Sequence, residues 1–154
     1  MLSPLVAAEE PRAPGEIVAA QYMEAFFRGH IETAAGFLSS AVLDPFKKAA
    51  VTTAQATRGE GQLKFLAVMG YSSIDELREA APRDVFVRVT KLQRAGTPDF
   101  VKKAETATVV IEKVEQVDLE KQRITLRIRI RTFPDQLDTV AVQKVEDHWL
   151  VVGR

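Results

Sequence analysis

Between residues 123 and 131 the chain alternates without a slip: Arg123-Ile124-Thr125-Leu126-Arg127-Ile128-Arg129-Ile130-Arg131. Successive side chains of an extended strand point to opposite faces. Ile124, Leu126, Ile128 and Ile130 therefore share one side, and Arg123, Arg127, Arg129 and Arg131 share the other. A helix would scatter the apolar positions around its axis, so period two leaves a strand with one buried face and one polar face.

The same code continues on both sides. Residues 106–117 read as a first strand, 118–121 as its turn and 122–132 as the second strand. Residues 133–136 turn into a third strand, 137–146, and Asp147-His148 turns tightly into a fourth, 149–152. Opposing Arg131 with Thr139 sets Ile130 against Val140 and Ile128 against Val142. A four-residue first turn sets Glu112 against Arg127 and Gln116 against Arg123, with Val110, Val114 and Ala141 on the arginine side.

The preceding residues follow a helical code. Residues 16–28 carry Ile17, Ala20, Met23 and Phe27 at three- to four-residue spacing, broadened by Tyr22 and Phe26 and stopped by Gly29. His30 opens a second expected helix, 31–43, burying Ile31, Ala34, Ala35, Leu38 and Val42 and broken by Asp44-Pro45. Residues 46–57 are compatible with helix, and 62–69 form a short apolar helix ending at Gly70. Ser73-Ile74-Asp75-Glu76 has capping-box spacing, and Pro82 suits the first turn of a helix over 83–93 that buries Val85, Phe86, Val89 and Leu92. Gly96-Thr97-Pro98 closes the helical half. Helices followed by consecutive hairpins predict an α+β fold, with N-terminal helices packed on a curved antiparallel sheet and a C-terminal four-strand meander. The expected division is an N-terminal arm over 1–14, punctuated by Pro4, Pro11 and Pro14, and a single domain over 15–154.

Composition narrows the chemistry. The 154 residues hold 21 Lys plus Arg and 21 Asp plus Glu, so no global field gathers nucleic acid or anionic lipid. Without cysteine there are no disulfides, thiolate metal sites or cysteine nucleophiles, and His30 and His148 are too few for a histidine-rich metal site. No apolar run reaches the roughly 20 residues that span a bilayer. Residues 1–10 look like the last part of a signal peptide without its basic region. A cytoplasmic location is slightly favoured, with export to the periplasm or beyond as the alternative. No cofactor is expected.

The opening helix, the glycine link and the stretch Ile31-Glu32-Thr33-Ala34-Ala35-Gly36-Phe37-Leu38 resemble the nuclear transport factor 2-like (NTF2-like, cystatin-like α+β) superfamily. So does the terminal Val142-Gln143-Lys144-Val145-Glu146-Asp147-His148-Trp149-Leu150-Val151. Ser73-Ile74-Asp75-Glu76-Leu77-Arg78 through Pro82-Arg83-Asp84-Val85-Phe86 looks like the middle of uncharacterised bacterial members. The resemblance spans about residues 15–152 and rests on shape and order. It implies a cone in which a curved sheet wraps a helix around a pocket. Members include isomerases, dehydratases, epoxide hydrolases, ligand binders and association modules, so fold leaves function open.

Candidate sites follow. Arg123, Arg127, Arg129 and Arg131, about 7 Å apart where they are two residues apart, form an ion-paired face, a self-association surface or an anion patch. Tyr22, Met23, Phe26, Phe65 and Tyr71 are the expected lining of an apolar ligand pocket. Asp99, Asp44 and Tyr22 are the candidate proton-transfer groups, Asp99 foremost because it neighbours Phe100. His30 reads as a helix cap, His148 as a turn residue and Trp149 as a core anchor. The leading expectation is a non-catalytic module that binds a small apolar ligand or a protein partner and dimerises through its sheet. The alternative is a small isomerase, dehydratase or hydrolase using one carboxylate or tyrosine.

Overall fold

The computed structural model describes residues 13–154. Most of the expected arm, and the signal-like start, lie outside the described residues. Pro14, assigned above to the arm, instead occupies the first turn of α1 (Pro14–Arg28), where its missing N–H costs nothing. The helix ends as expected at Gly29, whose φ of 89° lets the Gly29 and His30 amides turn back onto the carbonyls of Phe26 and Ala25.

The buried stripe of α1 runs through Gly15, Ala19, Tyr22, Met23 and Phe27. Ile17, expected in the core, is 41% exposed because it stands off this stripe. The stripe is set where the helix presses on the sheet. A Cβ on Gly15 would stand 2.5 Å from Gln122 Oε1 and 3.0 Å from the Trp149 ring.

The expected second helix is two helices. α2 (Ile31–Ala35) stops early, and α3 (Ser40–Ala56) begins after an extended segment. In that segment Leu38 makes a parallel bridge to Val151. Val151 N–H donates to Phe37 O at 2.8 Å and Ser39 N–H to Val151 O at 2.9 Å. Pro45 does not break the chain; it lies inside α3. The ring forfeits one backbone bond, but packing on the following turns holds the helix: Phe46 meets Phe86 edge-on at 5.1 Å, and Ala50 and Ala54 are buried.

α4 (Glu60–Met69) ends at Gly70, with φ 85°, and α5 (Ile74–Glu79) is capped by Ser73, whose hydroxyl accepts from Glu76 N–H at 3.1 Å. α6 (Pro82–Ala95) buries Val85, Phe86 and Thr90, leaving Leu92 on its exposed side. One further helix, α7 (Pro98–Ala104), follows Gly96 where the sequence suggested the helical half was closed.

The strands are β1 (Thr108–Asp118), β2 (Lys121–Arg129), β3 (Gln136–Val145) and β4 (His148–Gly153), paired in that order as an antiparallel meander. The fold is α+β. The β2–β3 register differs from expectation: Thr125 opposes Thr139 and Ile124 opposes Val140. The slip is six residues, an even number, so every side chain keeps its face. In the first hairpin Val110 opposes Arg127, and a shift between Ile111 and Lys113 places Val114 opposite Ile124, on the core side rather than the arginine side. The final turn is Glu146-Asp147, both at positive φ, one residue earlier than expected.

Two cores result. The larger joins α1 and α2 to the sheet through Tyr22, Met23, Ile31, Ile124, Leu126, Ile128, Val140, Val142 and Val151. The smaller lies among α3 to α6 around Ala54, Leu66, Met69, Tyr71, Leu77 and Val85.

Candidate functional site

On the outer face of the sheet the arginines are held by carboxylates. Arg127 Nε donates to Glu112, and Arg127 and Arg129 each reach Asp135 at 3.5 Å. Arg123 lies 3.8 Å from Glu115. The bulge in β1 changes the partners' register, yet the Arg127–Glu112 pair forms because both side chains are long. The Glu112 pair raises Arg127 above its ordinary value. Arg131 falls beyond β2, in the turn that Phe133 N–H closes on Ile130 O at 3.1 Å, and joins no ion pair among the described residues. Arg127 is flanked in the register by Val110 and Leu137, which are 41% and 61% exposed. Thr125 and Thr139 hydroxyls bond at 3.0 Å across the next rung of the pair.

On the inner side Tyr22 is buried where α1 meets the ends of β3 and β4. Burial raises its phenol, opposed by the Arg154 guanidinium, which is near enough to hydrogen-bond it; Asp138 adds a smaller upward push. Arg154 Nη2 donates to Asp138, and its guanidinium stands 5.2 Å from the Phe26 ring centre. Asp138 reaches this side because it opposes Leu126 in the register. Neither Asp138 nor Arg154 was singled out from the sequence. The available signal was parity: Asp138 shares the face of Val140 and Val142, a polar residue among core positions.

The five expected pocket residues do not form one cavity. Tyr22, Met23 and Phe26 belong to the larger core, whereas Phe65 and Tyr71 belong to the smaller one. Tyr71 donates to Asp84 Oδ2 at 2.7 Å beneath Arg88, whose guanidinium lies 4.6 Å from the ring centre. Burial and the Asp84 bond raise the Tyr71 phenol well above its ordinary value. Phe65 does line a groove of about 290 Å³ between α3, α4 and α6, with Phe46, Met69, Val89 and Leu92.

Asp99 and Asp44 both stand on exposed helical positions. Asp99 pairs with Lys103 at 3.3 Å while the adjacent Phe100 turns inward against Phe27 and Phe133. Consecutive helical residues point about 100° apart, so proximity to Phe100 in sequence does not desolvate Asp99. Asp44 borders a shallow surface hollow with Lys47 and Lys48. His30 precedes α2 and its side chain makes no cap bond; its carbonyl accepts from Ala34 N–H at 2.9 Å. His148 is exposed at the start of β4, and Trp149 packs against the larger core. Among the described residues no cluster of His, Asp and Glu could hold a metal ion, and no helix is long and apolar enough to cross a membrane.

No family model and no curated protein matches the chain. Two solved structures similar to it are NTF2-like proteins. One, from Campylobacter jejuni, provisionally named an NTF2-like transpeptidase, is 12% identical, covers 90% of this chain and 97% of its own, and has a TM-score of 0.48. The other, an NTF2-like protein of unknown function from Shewanella oneidensis MR-1, is 12% identical, covers 89% and 90%, and has a TM-score of 0.45.

Proposed function

We propose that the chain is a non-catalytic NTF2-like association module, working through the outer face of its sheet against the same face of a second copy. The observation that carries this reading is the row Val110–Arg127–Leu137. It sets two exposed apolar side chains on either side of an arginine already anchored by Glu112 and Asp135. Arg123, Arg127 and Arg129 are matched by Glu112, Glu115 and Asp135, so a two-fold copy meets both signs of charge rather than a uniform field. A stable pair needs about 800 Å² from each partner, which requires the strands to pair broadly across this face.

Sedimentation velocity over a range of concentrations tests it. The wild type should show concentration-dependent dimers, and Arg129→Glu or Leu137→Asp should shift it towards monomer. A wild-type chain that stays monomeric throughout ends this reading.

The Phe65 groove supports a second reading, a small apolar ligand. Its volume of about 290 Å³ sits at the lower end of ligand pockets, roughly 300–1,000 Å³. Titration with toluene should move the Met69 methyl and Phe65 ring resonances; unmoved signals would remove the ligand role. The isomerase, dehydratase or hydrolase alternative would have to run through Tyr22, and a phenol raised by burial stays protonated near neutral pH, where it offers no base and is a poor acid.

A further inference from the structure

The geometry points to a binding site for an amphipathic anion, a carboxylate or phosphate head on a short apolar body, in the cleft where the ends of α1 and α6 meet α7. The cleft encloses about 570 Å³ and shares no residue with the sheet face or the Phe65 groove. Four cations line it, Arg28, Lys91, Arg94 and Lys102, against the single carboxylate of Glu105.

Two of these cations are held in place by backbone. Arg94 donates from Nη1 to Phe26 O at 2.9 Å and from Nη2 to Phe27 O at 3.0 Å. Gly29 makes room for this: a Cβ there would stand 3.2 Å from Nη2. Arg28 donates from Nε to Ala107 O at 2.9 Å. A guanidinium carries five N–H donors in a rigid fork, so Arg94 keeps donors to spare after both carbonyls are satisfied. Groups already fixed in position lose little entropy when a ligand arrives.

Arg94 and Lys102 form no ion pair among the described residues. Arg28 pairs with Glu24 at 3.2 Å and Lys91 pairs with Glu32, both pairs at partly exposed positions. Exposed pairs contribute little, so an incoming anion competes with Glu24 and Glu32 on near-even terms. Arg94 also offsets the carbonyl end of α1, as Lys102 in the last turn of α7 offsets that helix's own; neither role uses up the charge they turn to the cleft. Burial lowers Arg94 from its ordinary value, a cost that an anion in the cleft relieves.

The floor selects an amphipathic ligand over a bare ion. Pro98 is exposed and Val101 half-buried, so both present apolar surface beside the cations; Ile31 also lines the cleft but is buried. A head group bonded to Arg94 and Lys102 would lay a short chain on that surface.

Calorimetric and amide-shift titrations of the full chain with octanoate, inorganic phosphate and 1-octanol test the assignment. Octanoate should move amides at Gly29, Arg94 and Val101 and bind at least about tenfold more tightly than either control. Lys102→Glu, at an exposed position, should weaken octanoate by about tenfold or more, as should Arg94→Lys, which keeps the charge but loses the fork. The proposal is overturned if octanoate fails to bind at about 10 mM, if either control binds as tightly, or if Lys102→Glu leaves the affinity unchanged. None of these outcomes depends on whether the sheet face dimerises.

Discussion

Leu38 and Val151 are joined by a parallel bridge that lays the segment between α2 and α3 along the outer edge of β4. An uncovered edge exposes unpaired N–H and C=O groups to other chains. Here Phe37 O and Ser39 N–H satisfy both backbone groups of Val151. The bridge also explains why the second helix stops at Ala35: residues 37–39 must be extended to reach the strand.

Ser39→Pro is a clean test of that bridge. Ser39 has φ −82°, a value proline accepts, so the substitution deletes the N–H donated to Val151 together with a buried, unpaired hydroxyl, and Ser39→Ala, which removes the hydroxyl alone, is the reference. Urea unfolding should show a loss of about 1–3 kcal/mol from the unsatisfied carbonyl. A neutral or stabilising result, as for proline at a compatible site that donates no bond, would show that the bridge contributes nothing.

The core face of β2 is tested by contrasting two leucines. Leu126 is fully buried, whereas Leu119 at the first hairpin tip is 96% exposed. Leu126→Ala should cost about 2–5 kcal/mol, and Leu119→Ala should stay within about 0.5 kcal/mol. Similar losses at both positions would contradict the assignment of faces.

The cap of α5 links sequence to pH dependence. Ser73→Ala leaves Glu76 N–H without its acceptor and should cost about 1 kcal/mol in urea unfolding. Glu76 itself accepts from the Ser72 hydroxyl and amide, which hold its carboxyl below the ordinary value of 4.5. Its contribution is therefore present above that value and lost as pH falls through the lowered one. Glu76→Gln should remove this part of the acid-side loss; an unchanged acid limb would refute the bond.

Tyr71 acts at the opposite end of the scale. Its phenol is raised above 10.0 by burial and by Asp84, so the stability it provides is complete below that value. It declines above it, as the unfolded chain ionises and the folded one resists. Tyr71→Phe should cost about 1 kcal/mol at pH 7 through loss of the Asp84 bond, and should flatten the alkaline limb of the stability curve. A limb as steep as the wild type's would place the alkaline sensitivity elsewhere, with Tyr22 the next candidate.

Where the deciding interaction is local, the sequence was legible. Gly29 and Gly70 stop helices, Ser73 caps one and Pro82 opens one, each at the expected position, because those effects act within a turn. Pro45 was misread as a break because its cost is local but its compensation, Phe46 on Phe86, comes from a distant helix. The residues expected to line one pocket separate for a similar reason. Tyr22 and Tyr71 look alike in sequence, yet α1 carries Tyr22 into the larger core and the link between α4 and α5 carries Tyr71 into the smaller one. Parity alone marks Asp138 as a polar residue at a core position, but its link to Arg154 and Tyr22 exists only once the meander brings the three together.

The alternation at Arg123–Arg131 by itself determined that β2 exists, which side is core and which side is charged, since side-chain parity is a property of the extended backbone. Parity survives an even slip, which is why the faces stand although the register to β3 is six residues from that expected. The slip, the bulge that sets Val114 opposite Ile124 and the pairing of Arg127 with Glu112 and Asp135 were decided by tertiary structure. They depend on which residues the folded chain brings opposite one another, and hydrophobic burial alone does not distinguish registers that bury the same face.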